Sequence, residues 1–138
     1  MKREWIRAEA YLLTRRFHQV EFDPDDYLWF VIHDFDFPPG FNKKQSRLLI
    51  ELDSTYPFTP PKGAYLDRNV RTSAGEAIAH YFPGSDQNKF FSKGWAWLCV
   101  HVEGWRPNAN IVKGDNLLKF CDIVYVTLED LGKQRKEG

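Results

Sequence analysis

Two cysteines in 138 residues are too few for a disulfide framework. That excludes the small secreted scaffolds stapled by several bridges and points to a reducing, cytoplasmic setting. Net charge is also missing: 19 basic residues balance 19 acidic ones. A dedicated nucleic-acid binder normally carries a basic field, so that class is disfavoured. No apolar run approaches the roughly 20 residues that span a bilayer. The N-terminal Met1-Lys2-Arg3-Glu4-Trp5 is followed by no apolar h-region, so neither a signal peptide nor a membrane partner is expected. The chain is too short for a (β/α)₈ barrel or for a dinucleotide-binding domain with a partner domain. Aromatics, in contrast, are plentiful: 5 Trp, 6 Tyr and 11 Phe. One domain over residues 1–138 with a substantial core is expected.

Helical spacing marks the first segment, Arg3 to Phe17. Ile6, Ala10, Leu13 and Phe17 share a stripe, and Arg3, Arg7, Arg15 and Arg16 lie on other faces. Asp23-Pro24-Asp25-Asp26 is turn chemistry. Tyr27 to His33 and Arg47 to Leu52 are rich in β-branched and aromatic residues and read as strands, apolar enough for burial on both faces. Short Pro/Gly breaks between strands favour an antiparallel meander. Tyr56-Pro57-Phe58-Thr59-Pro60-Pro61 can be neither helix nor central strand, because its prolines lack N–H donors. Ala64 to Leu66 reads as a short strand. Residues 67–94 read as a long loop, with a short helix near Ala74–His80. Trp95 to Val102 is extended. A last helix runs from about Asn116 to Leu131, with Asp115 as N-cap and Gly132 as stop. The order predicts an α+β domain: N-terminal helix, antiparallel strand meander, long active-site loop, C-terminal helix.

Cys99 is the foremost chemical candidate. It follows a long irregular segment and precedes the break at Gly104, where loops deliver reactive groups. A cysteine acts as a nucleophile through its thiolate, which needs a nearby base or a lowered pKa. His101 is two residues on, and in an extended segment it shares a face with Cys99. Free cysteines are also often buried as small hydrophobes, and Cys121, on the apolar stripe Leu117, Cys121, Val124, Leu128, Leu131, fits that description. His18, His33, His80 and His101 share no metal-ligand spacing with each other or with cysteine, so no metal or other cofactor is expected. No P-loop, G-x-S-x-G or H-E-x-x-H occurs. The adjacent carboxylates Asp25/Asp26 and Glu129/Asp130 suit solvated turns and helix ends.

These parts resemble the ubiquitin-conjugating enzyme superfamily, in a divergent prokaryotic form. There the Y-P-F-x-P-P motif, present here as Tyr56 to Pro61, follows the third strand. A catalytic cysteine then lies in an extended segment, followed by W-S-P and a helix. Here Cys99 is followed by Trp105-Arg106-Pro107 and the last helix. Element order matches over most of the chain. The family's H-P-N tripeptide is absent; its nearest echo, His80-Tyr81-Phe82-Pro83, lies 19 positions before Cys99, too far along the chain to match the family's spacing.

The resemblance implies thioester chemistry in a bacterial ubiquitin-like conjugation pathway. An activating enzyme passes a ubiquitin-like protein to Cys99, and an amine on a protein acceptor then takes it. His101 is the foremost donor or base, with Asn108, His80 and Asn88 as other oxyanion supports. By position, Arg3, Arg7, Phe58 and Pro107 correspond to the surface that receives the activating enzyme and ligases. Phe58 is also explicable as an aromatic plug within the proline bracket, the commoner role in folds of this type. The alternative is a non-catalytic module that only binds ubiquitin-like proteins. A Cys99–His101 hydrolase has less behind it, since no third orienting residue is identifiable.

Overall fold

The computed structural model describes residues 2–86 and 88–137, with side chains for 3–86 and 88–133. Helix α1 spans Lys2–Thr14. Strands β1 (Val20–Phe22), β2 (Trp29–Asp36), β3 (Gln45–Glu51) and β4 (Gly63–Asp67) follow in a meander. The chain then crosses to the sheet edge as β5 (Tyr81–Phe82). It returns as β6 (Trp95–Leu98), which pairs with both β4 and β5. The sheet order is β1-β2-β3-β4-β6-β5, and every pairing is antiparallel. Helix α2 (Leu117–Glu137) closes the chain.

Two faces of this sheet have different fates. Phe30, Ile32, Phe35, Leu48, Ile50, Ala64, Leu66, Ala96 and Leu98 point inward. They meet Ile6 and Leu13 of α1 and Leu117, Phe120, Val124 and Leu128 of α2 in one core. Ile32 and Phe35 are three residues apart yet both buried, because the β2–β3 register shifts between them and re-aims the strand. The expectation of strands buried on both faces is borne out in β3, where Leu48, Leu49 and Ile50 are all buried, and is corrected in β2. In β2 the alternate positions Trp29, Val31 and His33 are only half-buried.

Three boundaries differ from the sequence expectation. Among the described residues, no helix forms near 74–80. Thr72 instead closes a turn, its hydroxyl accepting the Glu76 N–H at 3.0 Å. The N-cap of α2 is Asn116, whose Oδ1 accepts the Lys119 N–H at 2.8 Å; Asp115 instead brackets Arg106. The helix also runs through Gly132 rather than stopping there. A Cβ at that point would make only ordinary van der Waals contact with the Pro39 carbonyl and the Phe41 ring, at 3.6 and 3.7 Å.

Candidate functional site: a half-exposed cysteine and an apolar cleft

β6 ends at Leu98, and Cys99 is the next residue. Its N–H donates to the His80 carbonyl at 2.9 Å, one step beyond the Tyr81–Leu98 pairing. This corrects the sequence expectation about His80, which the β5–β6 pairing brings to the backbone of Cys99 across 19 positions of chain. His80 holds a left-handed conformation (φ 59°), a costly choice for a residue with a Cβ, and it turns the chain into β5 at this point. Cys99 is half-buried. Cys121 faces the inner core and is fully buried, and burial pushes its thiol well above the ordinary range. The two thiols thus differ in the access on which reactivity depends.

The other site candidates are distributed unevenly. His101 is exposed, and among the described residues no hydrogen bond ties it to Cys99. Asn88 is buried. Its amide N–H groups donate to the carbonyls of Trp95 and Phe82, and its Oδ1 accepts the Phe90 N–H, so it organises the 82–95 loop. Asn108 is exposed beyond Pro107, its Oδ1 accepting the Asn110 N–H at 2.9 Å. Arg3 and Arg7 stand on the exposed side of α1. Among the described residues no three His, Cys, Asp or Glu side chains gather in a way that could hold a metal ion, and no helix is long and apolar enough to cross a membrane.

Beyond Cys99 the chain turns at Gly104 (φ 64°) and delivers Trp105 to the proline loop. The Trp105 indole N–H donates to the Pro57 carbonyl at 2.9 Å, and its ring leans on Tyr56 with centroids 6.2 Å apart. Residues 106–115 then fold back on themselves. The Asp115 N–H donates to the Arg106 carbonyl (2.9 Å), and the Arg106 N–H donates to Asp115 Oδ2 (2.7 Å). Gly114 makes this possible: a Cβ there would lie 2.5 Å from the Asn108 nitrogen and 2.8 Å from the Pro107 carbonyl carbon.

The outcome is a cleft of about 470 Å³, walled by Trp5 of α1, by Tyr56, Pro57 and Phe58, and by Pro107 and Asn108. The Tyr56–Pro57 peptide is cis. Tyr56, not Phe58, is the plug of the proline bracket. Tyr56 is buried, whereas Phe58 is 80% exposed, the most exposed of the large apolar side chains described. The sequence reading of Phe58 as a plug is set aside: its side chain stands at the rim of the cleft.

Sequence reasoning missed Glu9. It is 0% exposed on the inner side of α1. Its Oε2 accepts the Tyr56 hydroxyl and the Trp5 indole N–H (3.2 Å); its Oε1 accepts the Leu117 N–H (3.0 Å). Burial raises its pKa, and the bonds from Tyr56, the Leu117 N–H and Trp5 oppose that rise in decreasing order. The available signal was modest: a charged residue next to the apolar stripe of α1, four residues after a tryptophan.

A family model described as prokaryotic E2 family E matches residues 7–129. No curated protein and no solved structure matches the chain. The matched span runs from the inner stripe of α1 through the proline loop and Cys99 into α2. The chain therefore belongs to prokaryotic E2 family E, a family of ubiquitin-conjugating-enzyme-like proteins whose class is the conjugating transferase that works with ubiquitin-like proteins and their activating enzymes.

Proposed function

We propose that this protein carries a ubiquitin-like protein as a thioester on Cys99 and transfers it to an amine of an acceptor protein. The observation that carries the reading is the contrast between its thiols. Cys99 is half-exposed and backbone-anchored at a strand end, and Cys121 is sealed in the core. In the loading step the Cys99 thiolate attacks the thioester carbonyl presented by the activating enzyme, whose own thiolate leaves. In the transfer step an uncharged amine attacks the Cys99 thioester. The C–S bond breaks, the thiol is regenerated, and the amine gives up a proton. A thioester is already activated, so the site must chiefly expose sulfur, stabilise an oxyanion and desolvate the amine.

His101 and His80 are the leading oxyanion or proton-handling groups. One is two residues from Cys99 and exposed; the other is anchored to it through the backbone. Asn108 is a further exposed amide on the far side of Trp105. Asn88 acts through the loop it organises, its N–H groups being engaged with carbonyls. Arg3 and Arg7 on α1, with Phe58 and Pro107 at the cleft, form the surface for the activating enzyme and for a ligase or acceptor.

Incubation with the cognate activating enzyme, ATP and ubiquitin-like protein tests the reading. Wild type is expected to form an adduct that thiol reductants release, and Cys99→Ala none. An adduct surviving in Cys99→Ala would reject the nucleophile. No adduct with an authentic partner set would leave a module that binds ubiquitin-like proteins without catalysis. His101→Ala is expected to slow transfer by up to roughly 100-fold, the size typical of one lost oxyanion donor, with loading less affected.

A further inference from the structure

The chain just after Cys99 has the pattern of a strand but belongs to no sheet. Val100 and Val102 rest against the main core, whereas His101 and Glu103 are exposed. That period of two marks a half-buried strand. Yet among the described residues no hydrogen bond involves the backbone of residues 100–103. Backbone N–H and C=O groups are strong, obligatory hydrogen-bonding groups, so four successive residues without a protein partner form an open edge.

Each side of this run has its own cause. Towards β4 it is tied to the proline loop at both ends: Leu98 pairs with Ala64, and the Trp105 indole bonds the Pro57 carbonyl. Leu98 to Trp105 and Ala64 to Pro57 are both seven positions, and the second arm holds Pro60 and Pro61, which have no N–H to give. Towards β5 the pairing ends at the bond from the Cys99 N–H to the His80 carbonyl. His80 turns there in the left-handed region (φ 59°), and residues 77–79 make no hydrogen bond to 100–103. Backbone strain of this kind gathers at functional sites. Its effect here is to end β5 opposite the cysteine and leave the edge beyond it open.

Successive residues of a strand direct their N–H and C=O groups to opposite edges. The Cys99 N–H points to β5, so those of His101 and Glu103 point to the same, open side. Those of Val100 and Val102 point to the proline loop.

We propose that the open edge of His101 and Glu103 seats the C-terminal tail of the ubiquitin-like protein, which adds to β6 as an antiparallel strand in line with β5. The proposal rests on reading Cys99 as the thioester carrier. That bond names the occupant: a chain whose last carbonyl carbon is held on Cys99 Sγ must lay its preceding residues beside Cys99. β5 fills that side as far as His80, and the proline loop lies along the other. The tail therefore ends at the junction of Cys99 and His80. Strand addition works through main-chain hydrogen bonds, so the strip reads an extended backbone more than a particular sequence.

The experiment uses the full chain and a hexapeptide of alternating threonine and valine ending in two glycines, as its thioester with 2-mercaptoethanesulfonate. The Cys99 thiolate attacks the carbonyl, the mercaptoethanesulfonate thiolate leaves, and intact mass follows the adduct. The hexapeptide is expected to acylate Cys99 about tenfold faster than the acetyl-diglycine thioester, the gain of a few net hydrogen bonds. N-methylation of one alternating set of its amides should abolish that advantage, and methylation of the other set should keep it. Equal rates for long and short probes, or equal sensitivity of the two sets, would overturn the proposal.

A second measurement needs no thioester. The same hexapeptide, extended at its C-terminus by cysteamine and activated as a 2-pyridyl disulfide, is joined to Cys99 by disulfide exchange, with pyridine-2-thione leaving. In the ¹⁵N-labelled chain the backbone amide protons of His101 and Glu103 should then move downfield and exchange more slowly, and those of Val100 and Val102 should not. Unprotected His101 and Glu103 would overturn the proposal even in a protein that loads its cognate partner. Protection there supports the strip even where the cognate assay yields no adduct, so the two readings fail separately.

Discussion

The two faces of one sheet have been given opposite treatment. The inner face is covered by α1 and α2 and holds the main core. The outer face carries a smaller cluster of Leu49, Tyr65 and Trp95, flanked by Trp29, Val31, Trp97 and Phe90. No helix covers it. The loop after β5 crosses it instead: Phe90 packs edge-on against Tyr65 with centroids 4.9 Å apart, and Lys89 pairs with Glu51. Arg47 lies over Trp95, with its guanidinium carbon 4.2 Å from the ring centroid.

Each face also has its own carboxylate. Glu9, inside, sees only neutral donors and no cation among its bonded partners. Asp67, at the end of β4, accepts from Arg47 Nε at 2.7 Å and lies 3.8 Å from Lys43 Nζ. Burial alone would raise both pKa values. Only for Asp67 do cations, together with the hydrogen bonds from Arg47, reverse the direction and hold it below the ordinary carboxylate range. The lesson is that burial settles the sign of a shift only where no opposite charge is at hand.

The largest test of the comparison uses neighbours on one strand. Phe30, buried inside, should cost about 3–5 kcal/mol when replaced by Ala, by lost transfer energy and a cavity. Val31, half-buried outside, should cost about 1 kcal/mol for the same change. Urea unfolding measures both, and equal losses would break the distinction between faces.

The carboxylates should then give opposite pH trends. The folded pKa of Glu9 lies above its unfolded value. Its contribution is therefore greatest below the unfolded pKa and diminishes as pH rises through the folded one. Asp67 has a depressed folded pKa, so its contribution is present above its unfolded value and is lost as pH falls through the folded one. The stability advantage of wild type over Glu9→Gln should shrink as pH rises from about 4, whereas its advantage over Asp67→Asn should grow. Denaturant titrations at a series of pH values measure this, and parallel trends would refute the assignment.

The smallest effect belongs to the Lys89–Glu51 pair, in which Lys89 is half-exposed. Lys89→Ala should change stability by no more than about 1 kcal/mol, and by less at high salt. A larger loss would mean that the outer strap contributes to the fold as a core element does.

Much of the fold was legible because local chemistry and tertiary structure agree. The stripe of Ile6, Leu13 and Phe17 is buried, as is the stripe from Leu117 to Leu131. The proline bracket lies where its missing donors require, outside the sheet. Strands β1 and β5 were not legible. Three and two residues long, they carry too little periodicity to be seen, and exist because neighbours offer them an edge. Asn116 was passed over in favour of Asp115 because both are good caps, and only the fold-back onto Arg106 assigns one to the helix and the other to the loop.

By itself the sequence determined the α+β order, the resemblance carried by Tyr56 to Pro61, and the contrast between a helix-core Cys121 and a loop-delivered Cys99. Those properties live in spacing and residue type, which act over a few positions. Tertiary structure alone decided that His80 meets Cys99 across 19 positions, that Phe58 stands in solvent while Tyr56 is buried, and that Glu9 binds α1, the proline loop and α2 together. Each depends on partners far apart in the chain, brought together only when burial of the common core closes the sheet against its helices.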